Sequence, residues 1–164
     1  MIEKQKPCLL QDNAEQRPLN FDFIKEQGWD FKVQSLDVSD YSISGLQNSC
    51  GMERKSIADV VMCCCSKEHE RFRREIITLR GFKCKAVVIE ANYSDLEKGL
   101  DDNGKKWRSQ ATPEQVLKTI HSLQIKYDVP FIFTGSREAS ARYIFRALNR
   151  YYEHCRDYVR LFDI

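Results

Sequence analysis

Three residues carry the types and the spacing for phosphodiester chemistry: Asp40, Glu53 and Lys55. Glu53 and Lys55 stand two apart in Cys50 to Lys55, a segment that reads as a β-strand, so their side chains share one face while Arg54 points to the other. Asp40 opens Asp40-Tyr41-Ser42-Ile43, and Ser44-Gly45 begins a turn, so the two strands form a hairpin that can set Asp40 beside Glu53. Two converging carboxylates make a hard oxygen site for magnesium or manganese. A cation held there polarises a phosphoryl oxygen and lowers the pKa of a bound water, while Lys55 orients that water or offsets the phosphorane charge. Taken alone, an acidic residue followed at a distance by E-x-K is a weak signal, because alternating charges on a strand are usually just solvated.

The surrounding text supplies elements to position these groups. Pro7 to Gln11 reads as a short strand that runs into the polar Asp12-Asn13-Ala14-Glu15-Gln16. Leu19 to Ile24 reads as a short helix or turn stopped by Gly28. Apolar positions 29, 31, 33 and 36 mostly alternate, which predicts a half-buried strand from Trp29 to Val38, continued by Asp40 to Ile43. Ser56 is a good N-cap for a long helical stretch through Val60, Cys64, Phe72 and Leu79 to Gly81. The continuous run Ala86-Val87-Val88-Ile89 predicts a strand buried on both faces. Glu97 to Gln110 is the longest loop and the expected mobile segment. Thr112-Pro113-Glu114-Gln115 sets a cap, a first-turn proline and a capping-box glutamine in order, which predicts a helix from about Pro113 to Tyr127. A strand over Val129 to Thr134 and a last helix from Ser136 past Tyr151 complete an α/β layer structure with a mixed sheet.

A chain of 164 residues with 42% apolar and 30% charged residues suits one folded domain, 1–164, rather than disorder or a fibrous repeat. No apolar run is long enough for a membrane helix and Met1 to Gln16 holds no signal-peptide segment, so the expected address is the cytoplasm. Seven cysteines, three of them consecutive at Cys63-Cys64-Cys65, suit neither a disulfide framework nor a zinc site and read as reduced thiols. The net charge of +2 does not announce a nucleic-acid binder, but Lys67 to Lys85 holds seven Lys or Arg against three Glu, a stretch that could lie along phosphates or simply form a solvated face.

On these residues the chain resembles the XPF-type (ERCC-type) structure-specific endonucleases, whose core is a restriction-endonuclease-like, PD-(D/E)xK fold. The family pattern G-D…E-R-K-x-x-x-D reads here as Ser39-Asp40, then Glu53-Arg54-Lys55 and Asp59. The likeness extends to Asp12-Asn13-Ala14-Glu15 for the D-x-R-E segment, to Val87-Val88-Ile89-Glu90 and to Gly135-Ser136-Arg137-Glu138, covers roughly residues 7 to 152, and looks most like the short stand-alone members of bacteria and their phages. It implies a mixed β-sheet flanked by helices, a divalent-metal-dependent DNA endonuclease of the cytoplasm of a bacterial or phage-infected cell, and a part in DNA repair or recombination on branched or flapped DNA. Carried over by position, it implies Asp40, Glu53 and Asp12 as catalytic metal ligands, Lys55 as a catalytic group, Arg54, Asp59 and Glu15 in support, and Mg2+ or Mn2+ as cofactor. The family's glycine is Ser39 here and its D-x-R-E arginine is Ala14, which removes a cation from the site's edge. The rival expectation, to which Ala14 points, is a catalytically silent subunit that binds DNA or pairs with an active one.

Other readings stay beside these. Ser56-x-x-Asp59 also fits a capping box. Arg71, Arg74 and Lys67 are DNA-binding candidates, with pairing to Glu68, Glu70 or Glu75 as the plainer reading for the arginines. Trp107 among Lys105, Lys106 and Arg108 combines an aromatic with positive charge, and His121 reads as a packing or surface histidine. Tyr143, Phe145, Leu148, Tyr151 and Tyr152 give the last helix more apolar surface than one core face needs, which with the family likeness implies a homodimer or a partner subunit. No paired helix-hairpin-helix text is evident, so recognition of a junction would fall to the nuclease domain, a dimer mate or a separate protein.

Overall fold

The computed structural model describes residues 6–162; the expectation of no signal segment over Met1 to Gln16 falls partly on residues 1–5, outside the described residues. The elements are β1 (Cys8–Asp12), a 3-10 turn (Asp22–Gln27), β2 (Asp30–Gln34), β3 (Tyr41–Ile43), β4 (Cys50–Lys55), α1 (Ile57–Cys65), α2 (His69–Arg80), β5 (Cys84–Ile89), α3 (Tyr93–Glu97), α4 (Pro113–Tyr127), β6 (Phe131–Phe133) and α5 (Arg137–Phe162). They build a six-stranded sheet in the order β2-β1-β3-β4-β5-β6. The β1–β2, β4–β5 and β5–β6 pairs are parallel and the β1–β3 and β3–β4 pairs antiparallel, so the sheet is mixed and flanked by helices as the sequence predicts.

Local chemistry accounts for several boundaries. Gly28, at φ 78°, ends the 3-10 turn in a left-handed conformation that glycine adopts without steric cost. Ser56 and Asp59 form a reciprocal capping box at α1, and Thr112 and Gln115 do the same at α4. The stretch expected as one long helix is two. Ser66 is extended, its hydroxyl donates to the Met62 carbonyl at 2.7 Å and accepts from the Glu68 amide at 3.1 Å, and that local competition with the helix ladder separates α1 from α2.

The largest departure from expectation lies between residues 29 and 43. Trp29 to Ile43 is not one strand: β2 sits at the sheet edge and β1 intervenes between it and β3. Nor is β2 half-buried, since Asp30 through Val33 are all exposed; the alternation there reflects Phe31 stacking on Phe21 at 6.0 Å rather than a core face. The segment from Glu97 to Gln110 is also less featureless than its composition suggests. A bridge pairs Leu100 with Lys106, the Asp101 carboxylate accepts from the Asn103 and Lys105 amides, and the Trp107 indole donates to the Ala111 carbonyl.

Two apolar clusters cover the two faces of the sheet. One joins α1, α2 and α4 to Val87 and Ile89, and the other joins α5 and the segment from Leu19 to Trp29 to Ala86 and Val88. The run Ala86 to Ile89 is thus buried on both faces, and each such Val or Ile contributes roughly 1.5–3 kcal/mol by leaving water. The aromatic excess of α5 is largely taken up inside the chain: Phe145 and Tyr152 pack edge-on against Trp29, and Tyr143 and Tyr151 pack on the same cluster. All seven cysteines are free thiols. Among the described residues no helix is long and apolar enough to cross a membrane.

Candidate active site

A cleft of about 570 Å³ opens beside the end of β4, lined by β1's Asp12, the segment Ala14 to Gln16, Leu36 to Asp40, Glu53 to Lys55, Asp59 and the α2 residues Arg71, Arg74, Glu75 and Thr78. The hairpin register pairs Tyr41 with Met52, and the Asp40 amide donates to the Met52 carbonyl at 3.1 Å, which places Asp40 across from Glu53. The Asp40 carboxylate accepts from the Arg54 amide at 2.7 Å, so the backbone of β4 itself orients this side chain.

The two faces of β4 carry different charge arrangements. On the α1–α2 side, Lys55 Nζ donates to Glu53 at 2.7 Å and to Glu75 at 3.4 Å, and lies 5.3 Å from the centre of the Phe72 ring. Burial alone would push the Lys55 ammonium down, yet Glu53 and Glu75 outweigh it and hold it above its ordinary value. Burial pushes the Glu53 carboxyl up, opposed by Lys55 and reinforced by Glu75. Burial and the Glu53 charge together push Asp40 up to about 8. Two partly dehydrated carboxylates facing one another are a poor arrangement unless a proton or a cation joins them.

On the α5 side, Arg54 is enclosed by carboxylates. Its guanidinium donates twice to Glu15 at 2.8 Å and once to Glu90 at 3.1 Å, with the three side chains only 4–6% exposed. Arg137, the first residue of α5, donates to the same Glu90 oxygen at 3.1 Å and to the carbonyls of Arg17 and Pro18 at 3.0 and 2.8 Å. Burial works against the Glu15 carboxylate, but hydrogen bonds from Arg54 and the Arg17 amide and the charge of Arg54 hold it below its ordinary range.

Ser39, directly before Asp40, adopts φ 68°, a conformation that costs a non-glycine residue about 1–2 kcal/mol. Its hydroxyl donates to the Tyr41 carbonyl at 3.2 Å and occupies space that a side chain at 51 would need: a Cβ on Gly51 would lie 2.6 Å from Ser39 Oγ and 3.0 Å from the Phe82 ring.

Of the residues singled out from sequence, Asp12, Glu15, Asp40, Glu53, Arg54, Lys55, Asp59, Arg71 and Arg74 all line this cleft, together with Ala14. Lys67 does not; it lies in the turn between α1 and α2. The basic run around it is dispersed, with Arg73 reaching Glu70 and the Tyr127 hydroxyl on α4 and Lys85 donating to the Arg80 carbonyl. Arg71 pairs with Glu68 and Glu75 although its side chain is 72% exposed, whereas Arg74 makes no ion pair among the described residues. Asp59 caps α1 through Ser56. Asp12 accepts from the Leu36 amide at 3.0 Å and so ties down the chain before Asp40. Among the described residues no three of His, Cys, Asp and Glu gather into a metal-holding group. Asp40 and Glu53 by themselves fit a cation of the magnesium type, which takes one or two protein carboxylates and fills its other positions with water and phosphate oxygens. Sequence reasoning missed Glu90 as a partner of Arg54, Arg137 as the second cation on that Glu90, and Glu75 as a partner of Lys55; an arginine in the first turn of a helix, where cations are disfavoured, is the signal that marks Arg137.

The mixed sheet and the cleft at the end of β4 define a domain of restriction-endonuclease-like fold. Two solved chains share it: "XPF from Aeropyrum pernix, complex with DNA" matches with a TM-score of 0.66 at 15% identity, covering 90% of this chain and 66% of that one, and "XPF from Aeropyrum pernix" matches with the same score and identity, covering 94% and 69%. The chain belongs to the ERCC4 domain family, whose model matches residues 11–147 and whose members are structure-specific DNA nucleases. A comparison with curated proteins returned no match.

Proposed function

We propose that this chain is an endonuclease that hydrolyses DNA phosphodiester bonds with one or two bound Mg2+ or Mn2+ ions, acting on branched or flapped DNA. The observation that carries this reading is the convergence of Asp40, Glu53 and Lys55 in one cleft at the end of β4. Asp40 and Glu53 would hold the cation, which supplies Lewis acidity toward a phosphoryl oxygen and a water of lowered pKa. Lys55, kept charged by two carboxylates, is placed to offset charge as the phosphate becomes five-coordinate. Arg74 and Arg71, on α2 at the edge of the same cleft, are placed to take a phosphate of the bound strand. Asp12 lines the same cleft and holds the chain that leads into Asp40. Lys67 contributes to DNA binding in this reading only if the duplex extends beyond the cleft.

Ala14 favours a second reading, a silent DNA-binding or partner subunit, because the cleft wall there offers a methyl group where the family pattern has a cation. The test is cleavage of labelled duplex, flap, splayed-arm and single-stranded DNA with Mg2+ or Mn2+, comparing this chain with Glu53→Ala. Cutting that disappears in the variant supports the enzyme and ranks its substrates. No cutting, even with Ala14→Arg, supports the silent subunit. The inferred setting is DNA repair or recombination in the cytoplasm of a bacterial or phage-infected cell. A homodimer or a partner subunit is part of the same proposal, supported by exposed apolar side chains at Ile125 and Val159, and light scattering at increasing concentration reads it directly.

A further inference from the structure

We infer that Arg137 is a positioning residue that holds the segment Ala14 to Pro18 as one wall of the cleft; its effect on DNA rests on the nuclease reading, while the hold on the segment does not. The segment is a strap. Ala14, Glu15 and Gln16 line the cleft, and Pro18 lines a second groove of about 920 Å³ that runs beside α5. Between them the strap has little regular backbone pairing of its own: the Glu15 amide donates to the Asp12 carbonyl at 3.2 Å and the Arg17 amide to the Glu15 carboxylate at 2.9 Å.

What fixes it is charge and two carbonyls. Glu15 is gripped by Arg54, and the carbonyls of Arg17 and Pro18 are gripped by one nitrogen of Arg137, across 120 and 119 residues of chain. The other nitrogen of Arg137 shares the Glu90 oxygen that Arg54 also uses. The Glu90 amide in turn donates to the Lys55 carbonyl at 3.0 Å. Strap, α5, β5 and the strand bearing Glu53 and Lys55 are therefore joined through one carboxylate and two guanidiniums. A cation at the first residue of a helix opposes the helix dipole, so nothing in α5 itself calls for arginine there. The planar fork of guanidinium explains it: one group donates in two directions at fixed angles, which an ammonium does not reproduce.

The experiment measures amide hydrogen exchange at residues 14–17 in the wild-type chain, Arg137→Gln and Arg137→Lys, alongside KM and kcat on the best-cut DNA. Arg137→Gln should speed exchange of the Glu15 and Arg17 amides about tenfold or more while β4 and β5 amides keep their protection. KM should rise more than kcat falls, because the wall and not the metal pair is loosened. Arg137→Lys keeps a charge against Glu90 and so guards against a folding failure in the Gln variant, and it should restore neither the exchange rate nor KM. Unchanged strap exchange, or a Lys variant that behaves as wild type, overturns the assignment. Absence of any cleavage by the wild-type chain would defeat the nuclease reading and leave strap exchange to decide the hold.

Discussion

The two faces of β4 solve the same problem in opposite ways. Glu53 and Lys55 look toward α1 and α2, where the Lys55 ammonium joins Glu53 and Glu75, no ammonium or guanidinium contacts Asp40 among the described residues, and the carboxyls of Asp40 and Glu53 are pushed up by burial and crowding. Arg54, one residue between them, looks toward α5, where Glu15 and Glu90 meet two guanidiniums. The first arrangement is short of positive charge and the second is nearly balanced. A buried cluster that is short of a cation stabilises nothing until one arrives, whereas a balanced one specifies geometry. The contrast separates the groups built to act from the groups built to hold them.

The largest effect expected from breaking this contrast is on the crowded side. Asp40→Asn should reduce cleavage on the order of a thousandfold while raising the melting temperature of the metal-free chain. Asp40's folded pKa lies near 8, above its unfolded value, so its contribution to stability is present at low pH and lost as pH rises through 8; the gain from Asn should therefore be greatest at neutral to alkaline pH and fade toward pH ~4. A variant that loses stability at pH 8 would sink the crowding argument. On the balanced side, Arg54→Met leaves Glu15 and Glu90 dehydrated with one of their cations gone and should cost about 3–5 kcal/mol by urea unfolding; a cost under about 1 kcal/mol would mean that water reaches the network. Glu15→Gln should show the opposite pH trend from Asp40→Asn. Its folded pKa is lowered, so its contribution is present above the unfolded pKa of about 4.3 and lost as pH falls through the folded value, and the melting-temperature deficit of the variant should shrink as the solution is acidified. A deficit independent of pH would count against an ionised Glu15. Ser39→Gly should raise stability by about 1 kcal/mol by relieving the left-handed backbone, read as a shift of a few degrees in melting temperature.

How far the molecule could be read in advance depended on the range of the interactions. Local signals were legible: the capping boxes at Ser56 and Thr112, the 15 residues of α4, the hairpin that opposes Asp40 to Glu53, and the alternation that turns Arg54 away from its neighbours. Interactions across long stretches of chain were not. The insertion of β1 between β2 and β3 leaves no periodic trace, and the edge position of β2 let an exposed alternation pass for a half-buried one. Glu90 and Arg137 look like ordinary surface charges until β5 and α5 are folded against Arg54. Lys67 belonged to a run of positive charge that looked continuous in the text, yet it falls in the turn before α2, while the arginines after it are spread around α2 and Lys85 lies on β5.

The fit between Ser39 and Gly51 bears on how this family can change over time. With serine at 39, alanine at 51 is blocked, because its methyl group would fall 2.6 Å from the serine hydroxyl. With glycine at 39 that obstacle is gone and only the Phe82 ring, 3.0 Å from the new carbon, must yield. Substitutions at the two positions are thus ordered: 39 must lose its side chain before 51 gains one. Lineages that carry serine ahead of the aspartate should keep glycine twelve positions later, and those with glycine there should admit a side chain at that later position only where the ring matching Phe82 gives way.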